Sequence, residues 1–415
     1  MFEVCRSSAA FPTARVVAAA IVVVLATSIA PARAGGAIVN PEICDNCFDD
    51  DGNGQTDRKD PMCKPPADGG GQGIAQPSEA KGALKCQKAI EKASAAFALK
   101  KLGHLDKCIA LAFACVQLKN SDLSSCLAKA TPSCAKQVQA IPNDEAKAKA
   151  AIEKACNDGQ GGTISLDDIR SSNGLGFNGE EALLDCPTTI TSTSDLADCV
   201  IDRHECGMER LVVASAPRAK ELLTALGRDT ATEFPCLEAA AGTNGSDGTG
   251  AGLSGPGQGK AAVKCEGALI KAGAAIAKGG FKLSPKCFDA AATCVQLHNG
   301  DPTCPAKAGP KCQAVLTKFF GGLPKLFGAT AAKCTGPTLT PTDLNAAAGL
   351  GFVAVTDPNK RCSQFTIQAV DPTIRLVECM TDQYGCDGSY MIERQVPRVR
   401  ELSALLNVSL SGFGF

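Results

Sequence analysis

Residues 108–134 read CIALAFACVQLKNSDLSSCLAKATPSC, and residues 287–312 read CFDAAATCVQLHNGDPTCPAKAGPKC. Each stretch sets its first two cysteines seven apart, runs through Cys-Val-Gln-Leu into a polar turn, and returns to two further cysteines. Extended outward, the match becomes a nine-cysteine unit. Cys86, Cys108, Cys115, Cys126, Cys134, Cys156, Cys186, Cys199 and Cys206 recur as Cys265, Cys287, Cys294, Cys304, Cys312, Cys334, Cys362, Cys379 and Cys386, at offsets between 176 and 180. Copies this long read as tandem domains rather than as turns of a solenoid.

Two cysteines seven apart on a helix lie roughly 10.5 Å apart along its axis, beyond the roughly 7 Å Cα limit for a disulfide. Cys108 therefore cannot bond Cys115, nor Cys199 bond Cys206, and each must reach another segment. One scheme nests Cys86 with Cys156, Cys108 with Cys134, and Cys115 with Cys126. The residue numbers of these pairs total 242, 242 and 241, and those of their counterparts 599, 599 and 598, as two antiparallel arms folding near residue 121 would require. The other scheme lays the 108–115 helix beside the 199–206 helix and joins them by two equally spaced bridges. The hairpin is favoured, because Pro132 and Pro310 spoil ideal spacing in the return arm; the side-by-side scheme stays open.

Within each copy the apolar period is helical. Cys86, Ile90, Ala93 and Phe97 step along one face, as do Cys265, Leu269, Ala272 and Ile276, with lysines and Glu91 on the other faces. Gly103 is expected to end the first helix in copy one, and Gly279-Gly280 with Pro285 in copy two. Ser165, with Asp168, and Thr340, with Asp343, are expected to cap helix N-termini. A further helix carries Cys199 and Cys206, and Pro217 and Pro397 open the next. The fold class is mainly α: two tandem disulfide-stapled helical domains, each a helical hairpin plus further helices, after a small irregular Asp-rich loop module. The boundaries are a leader at 1–34, the loop module at 41–63, a linker at 64–82, repeat 1 at 83–239, a Gly/Ser-rich linker at 240–260 and repeat 2 at 261–415.

The chain of 415 residues is 45% hydrophobic, but much of that is alanine; it has no Trp and two Tyr, so covalent staples must supplement a core poor in large side chains. A net charge of -1 offers no basic field for nucleic acid. Twenty-three cysteines point to an oxidising compartment. Arg6 and Arg15, the apolar run Val16 to Ala30, and Ala32-Arg33-Ala34 read as a secretory signal cleaved before Gly35. No later stretch is apolar enough to span a bilayer. Loss of Cys5 with the leader leaves an even number. Copy one with Cys236 holds ten cysteines, copy two nine and the first module three, so complete pairing needs a bridge from that module to copy two or some other crossing.

Within Pro41 to Cys63 lies the clearest chemical motif. Asp49, Asp51 and Asn53 occupy positions 1, 3 and 5 of a calcium loop, Gly54 the sharp turn at 6, Gln55 a backbone carbonyl at 7, Asp57 position 9 and Asp60 position 12. Calcium takes six to eight hard oxygens, about what this loop presents. Asp60 replaces the usual Glu with a shorter arm, and Pro41, Pro61 and flanking cysteines stand where an EF-hand has helices. The stretch 49–60 resembles the helix-less DxDxDG loops of thrombospondin type 3 repeats and dockerins, which implies calcium binding. Cys44, Cys47 and Cys63 frame the loop. They lack a fourth zinc ligand, and a disulfide from Cys63 to Cys44 or Cys47 would close its ends. The whole pattern is similar to cysteine-rich secreted bacterial proteins that pair an Asp-rich N-terminal loop with Lys/Ala-rich helical repeats, a resemblance that implies no activity.

Catalytic signatures are sparse. Gly250-Ala-Gly252-Leu-Ser-Gly255 matches GxGxxG but follows no apolar strand, so it is no dinucleotide site. His104, His204 and His298 do not recur between copies. His204, beside Asp202, Glu205 and Cys206, is the best ligand or base, against the plainer reading of a solvated helix face. Arg218 and Glu221 recur as Arg398 and Glu401, expected as capping and surface ion pairs. The chain therefore reads as an exported, non-enzymatic structural or binding protein with a calcium loop and a protein or cell-surface partner. The rival is a secreted redox or metal-dependent enzyme using an unpaired cysteine or His204.

Overall fold

A computed structural model describes residues 71–157, 164–178, 186, 189–352 and 372–408. The expected calcium-loop residues and the expected leader lie outside these. The described residues are mainly helical. Copy one contains α1 (Pro77–Leu118), α2 (Leu123–Cys156), α3 (Leu166–Arg170), α4 (Thr193–Ser215), α5 (Ala219–Ala225), α6 (Thr230–Glu233) and α7 (Pro235–Asn244). Copy two contains α8 (Gln258–Phe281), α9 (Leu283–Leu297), α10 (Thr303–Cys334), α11 (Pro341–Asn345), α12 (Pro372–Gln395) and α13 (Val399–Leu405).

The nested scheme describes the hairpins. Cys86–Cys156, Cys108–Cys134 and Cys115–Cys126 staple α1 to α2, with Cα separations of 4.6, 4.8 and 5.6 Å. Cys265–Cys334, Cys287–Cys312 and Cys294–Cys304 staple α8 and α9 to α10 at 4.6, 4.6 and 5.5 Å. The side-by-side scheme is excluded: Cys199 bonds Cys186 and Cys206 bonds Cys236. The arms turn through a single 3-10 turn at Asn120–Asp122 in copy one. Pro132 and Pro142 in α2, and Pro310 and Pro324 in α10, lie inside helices rather than ending them. Each costs a backbone hydrogen bond, and the staples hold the arms together around it.

Gly103 does not end the first helix. α1 runs unbroken for 42 residues, because an isolated glycine costs only about 1 kcal/mol against alanine and apolar Leu102, Leu105 and Ile109 carry the buried face straight past it. In copy two, Gly279 and Gly280 together close α8, and Pro285 sits in the first turn of α9. The expected caps form: Ser165 with Asp168, and Thr340 with Asp343, make reciprocal capping boxes.

α4 packs along α1 and α2, and α12 along α8 and α10; the copies meet through α1 against α8 and α9, and through α4 against α12. One buried cluster runs through both, joining Phe97, Ile109 and Phe113 to Leu269, Ile276 and Met391. A second cluster, of copy two, takes in Leu84 from the start of α1 beside Leu283, Phe288 and Leu402.

The bridges differ in the loop each closes, 70 residues for Cys86–Cys156 and 11 for Cys115–Cys126. Chain entropy then predicts that replacing the outer pair by alanine costs roughly 4 kcal/mol and the inner pair roughly 3 kcal/mol. Denaturant unfolding of the two double variants should rank them in that order.

Candidate functional site

The polar groups that recur between the copies converge where the copies meet. Pro217 and Pro397 precede arginines placed at the N-termini of α5 and α13. Arg218 is fully buried. Its Nε and Nη2 donate to Glu221 at 2.7 and 2.8 Å, its Nη1 donates across to the carbonyls of Ala348 and Gly349 at 2.9 and 2.8 Å, and Nη2 also reaches the carbonyl of Ala251. Arg398 reciprocates. It is held by Glu401 and donates Nη1 to the carbonyls of Asn173 and Gly174 at 2.9 and 2.8 Å, and Nη2 to that of Gln72. Gln117 and Gln296, the glutamines of the two Cys-Val-Gln-Leu stretches, reinforce the same turns. Gln117 donates to Ala348 O and accepts from Leu253 N; Gln296 donates to Asn173 O and accepts from Ile74 N.

These are not surface ion pairs. Each arginine fills its fork with one carboxylate and two sets of carbonyls, a planar match that lysine cannot make. Glycine permits the approach. Gly351 and Gly176 have φ of +78° and +83°, and a Cβ there would stand 2.9 and 3.0 Å from the Cγ of Arg218 and Arg398. The glycines of the GxGxxG-like stretch serve the same docking: Gly250 donates its N–H to Glu221, and a Cβ on Gly252 would strike the Val116 carbonyl at 2.4 Å.

His204 is neither solvated nor open to a substrate. It is fully buried in the seam, donating Nδ1–H to Val200 O at 2.7 Å and accepting at Nε2 from Gln395 of copy two at 2.9 Å. Burial pushes its imidazole down to about 3, so the ring is neutral. Its counterpart Tyr384 donates to Ser215, the counterpart of Gln395, at 3.2 Å. His104 lies in α1 and meets Gln137 and Asp144.

Glu91 is likewise buried, against α9, accepting from Gln87 and from Ser284 at 2.8 Å. Burial, with Asp289 close by, pushes its carboxyl up to about 8. Asp106, whose Oδ1 is sealed from solvent, is pushed to about 8 by burial. Lys101, fully enclosed, pairs with Glu205 and Glu209, and Glu209 accepts the N–H groups of Cys236 and Leu237 at the start of α7.

Among the described residues, Glu145, Asp202 and Glu205 lie close enough to share a cation. Lys149 already sits 2.7 Å from Glu145 and 3.0 Å from Asp202, and Lys101 on Glu205, so that charge is balanced from within the chain. A cleft lined by Gln87, Gly174, Gln296 and Arg398 holds about 20 Å³, the room of a single water. Asp49, Asp51, Asn53, Gln55, Asp57 and Asp60 lie outside the described residues. Compared with protein-family models, curated proteins and solved structures, the chain matches none.

The sequence marks the seam in one way: Gln117, Arg218 and Glu221 recur at offsets of 179, 180 and 180, beside the recurrent Gly-Leu-Gly-Phe at 174–177 and 349–352. That such recurrence means reciprocal contact, rather than a repeated surface, is set by the packing.

Removing a buried charge partner typically costs about 3–5 kcal/mol. Arg218→Ala should lose about that much in urea unfolding, and Arg218→Lys should recover only a minor part. A loss under about 1 kcal/mol would contradict the buried clamp.

The titrations set a pH profile. Glu91 and Asp106 shift from 4.5 and 3.8 to about 8 on folding, so their contribution is full below pH 3.8 and is lost as pH rises through 8. His204 shifts from 6.5 to about 3, so its contribution is full above pH 6.5 and drains as pH falls towards 3. Two carboxyls outweigh one imidazole between pH 8 and 4.5, and thermal midpoints should rise on acidification across that window. Asp106→Asn should flatten the slope; a midpoint that climbs towards pH 8 contradicts the assignment.

Proposed function

We propose that this chain is an exported, non-enzymatic structural or binding protein: a disulfide-stapled helical pair carrying an N-terminal calcium loop. The observation that carries the non-enzymatic reading is the use made of the recurrent polar side chains. Gln117, Arg218 and Glu221, with Gln296, Arg398 and Glu401, are all engaged in holding the two copies together. His204, the strongest candidate base, is packed between them.

Eight disulfides among the described residues favour an oxidising compartment, as does the leader-like start. All eighteen cysteines among those residues are bonded, which weighs against a redox enzyme working through them. Near neutrality of net charge favours a protein or cell-surface partner over nucleic acid.

In the loop, Asp49, Asp51, Asn53, Asp57 and Asp60 would offer side-chain oxygens and Gln55 its carbonyl. Calcium would supply the positive charge that lets so many acids share one turn. Calorimetric titration of the full chain with calcium chloride should show a saturable heat that Asp49→Ala and Asp51→Ala each abolish. No heat in the parent, or unchanged heat in both variants, overturns the calcium reading. A thiol titration in denaturant separates the rival: near-zero free thiol supports the structural reading, and one or more reactive thiols per chain supports the redox enzyme.

A further inference from the structure

The seam contains a substitution of one chain segment for another. In copy one, the chain arriving from α7 docks on Arg218, Glu221 and Gln117. Ser246 N donates to Pro217 O, Gly250 N to Glu221 at 2.8 Å and Leu253 N to Gln117 at 3.0 Å, and the Ala251 carbonyl accepts from Arg218 at 3.2 Å. In copy two, the same three partners are met by residues from before α1. Gly71 N donates to Glu401 at 3.1 Å and Ile74 N to Gln296 at 2.9 Å, and the Gln72 carbonyl accepts from Arg398 at 3.1 Å. Gly71, Gln72 and Ile74 therefore stand on copy two where Gly250, Ala251 and Leu253 stand on copy one, each pair 179 apart.

What lies just upstream of Gly250 is α7, covering α4 and fastened to it by Cys206–Cys236, with Cα atoms 5.2 Å apart. The counterpart of Cys206 is Cys386 on α12, and Cys386 is disulfide-bonded. Its partner is none of the cysteines in the eight bridges of the described residues. Cys379, seven residues away on the same helix, is beyond bonding reach. Residues 406–415, after α13, carry no cysteine.

We propose that one of Cys44, Cys47 and Cys63, upstream of Gly71, bonds Cys386, as Cys236, upstream of Gly250, bonds Cys206. Reach permits it. Cys236 precedes Gly250 by 14 residues, and Cys63 precedes Gly71 by 8, an extended span of up to roughly 28 Å. The remaining count closes. Cys362 would pair with Cys379 as Cys186 pairs with Cys199, and the two module cysteines left over would pair with each other. The Asp-rich module is then joined to copy two by a covalent bond as well as through the docking of residues 71–74. This inference rests on the bridges and the docking of residues 71–74, and stands or falls independently of calcium.

The test is Asp-N digestion of the unreduced, full-length exported protein, followed by mass spectrometry. Cleavage before Asp382 and Asp387 releases Cys386 in a five-residue peptide free of Cys379, and cleavage before Asp45, Asp49 and Asp60 separates Cys44, Cys47 and Cys63. The expected result is the 382–386 peptide linked to one of those three, in protein that runs as a monomer on a non-reducing gel. A link to Cys362 or Cys5, a free thiol at Cys386, or a link that joins two chains overturns the proposal. A second variant guards against rearrangement: Cys386→Ser should expose one new alkylatable thiol per chain, within residues 44–63. A new thiol elsewhere, or none, also overturns it.

Discussion

Arg218 binds Glu221 in its own copy and the Ala348 and Gly349 carbonyls in the other, while Arg398 binds Glu401 and the carbonyls of Asn173 and Gly174. A guanidinium buried this fully is tolerable only if each donor edge is met, and here the turn following α3 or α11 supplies the carbonyls that the arginine's own copy does not. Each copy therefore completes the other. The capping boxes of α3 and α11 fix those turns, Gly176 and Gly351 let the arginine stems approach, and Gln117 and Gln296 brace the same carbonyls. α4 meets α12 in the same seam, where His204 bonds Gln395 and Tyr384 bonds Ser215.

The composition explains why such polar fastening is needed. With no tryptophan and two tyrosines among many alanines, the helices bring little apolar area per residue. Disulfides make up part of this deficit by restricting the unfolded chain. They also let the return arms keep internal prolines that would break unsupported helices. Buried acids lie here as well, Glu91 and Asp106 among them, and burial raises the pKa of both carboxyls.

For function, the weight falls on what the two copies hold in common. Their shared polar residues Gln117 and Arg218, and Gln296 and Arg398, bond backbone carbonyls of the opposite copy. That use of the recurrent side chains is what supports the structural or binding role proposed above.

The hairpins were partly legible in the sequence, because a fixed helical rise and a fixed bonding reach rule out a bridge between cysteines seven apart on one helix. The nested and side-by-side pairings both remained, and the structure decides for the nested one: Cys86–Cys156, Cys108–Cys134 and Cys115–Cys126 form, while Cys199 and Cys206 bond Cys186 and Cys236. The caps at Ser165 and Thr340 were legible because their partners lie three residues away. Gly103 misled, because a helix end depends on whether the apolar face continues beyond the glycine, as it does in α1. Arg218, Glu91 and His204 all read as surface residues from their charge or polarity, and all three are buried. No local pattern separates a charge facing water from one facing partners more than a hundred residues away. The pairing rules within each copy are short-range and written in spacing, whereas the closure of one copy upon the other is decided only when the two surfaces meet.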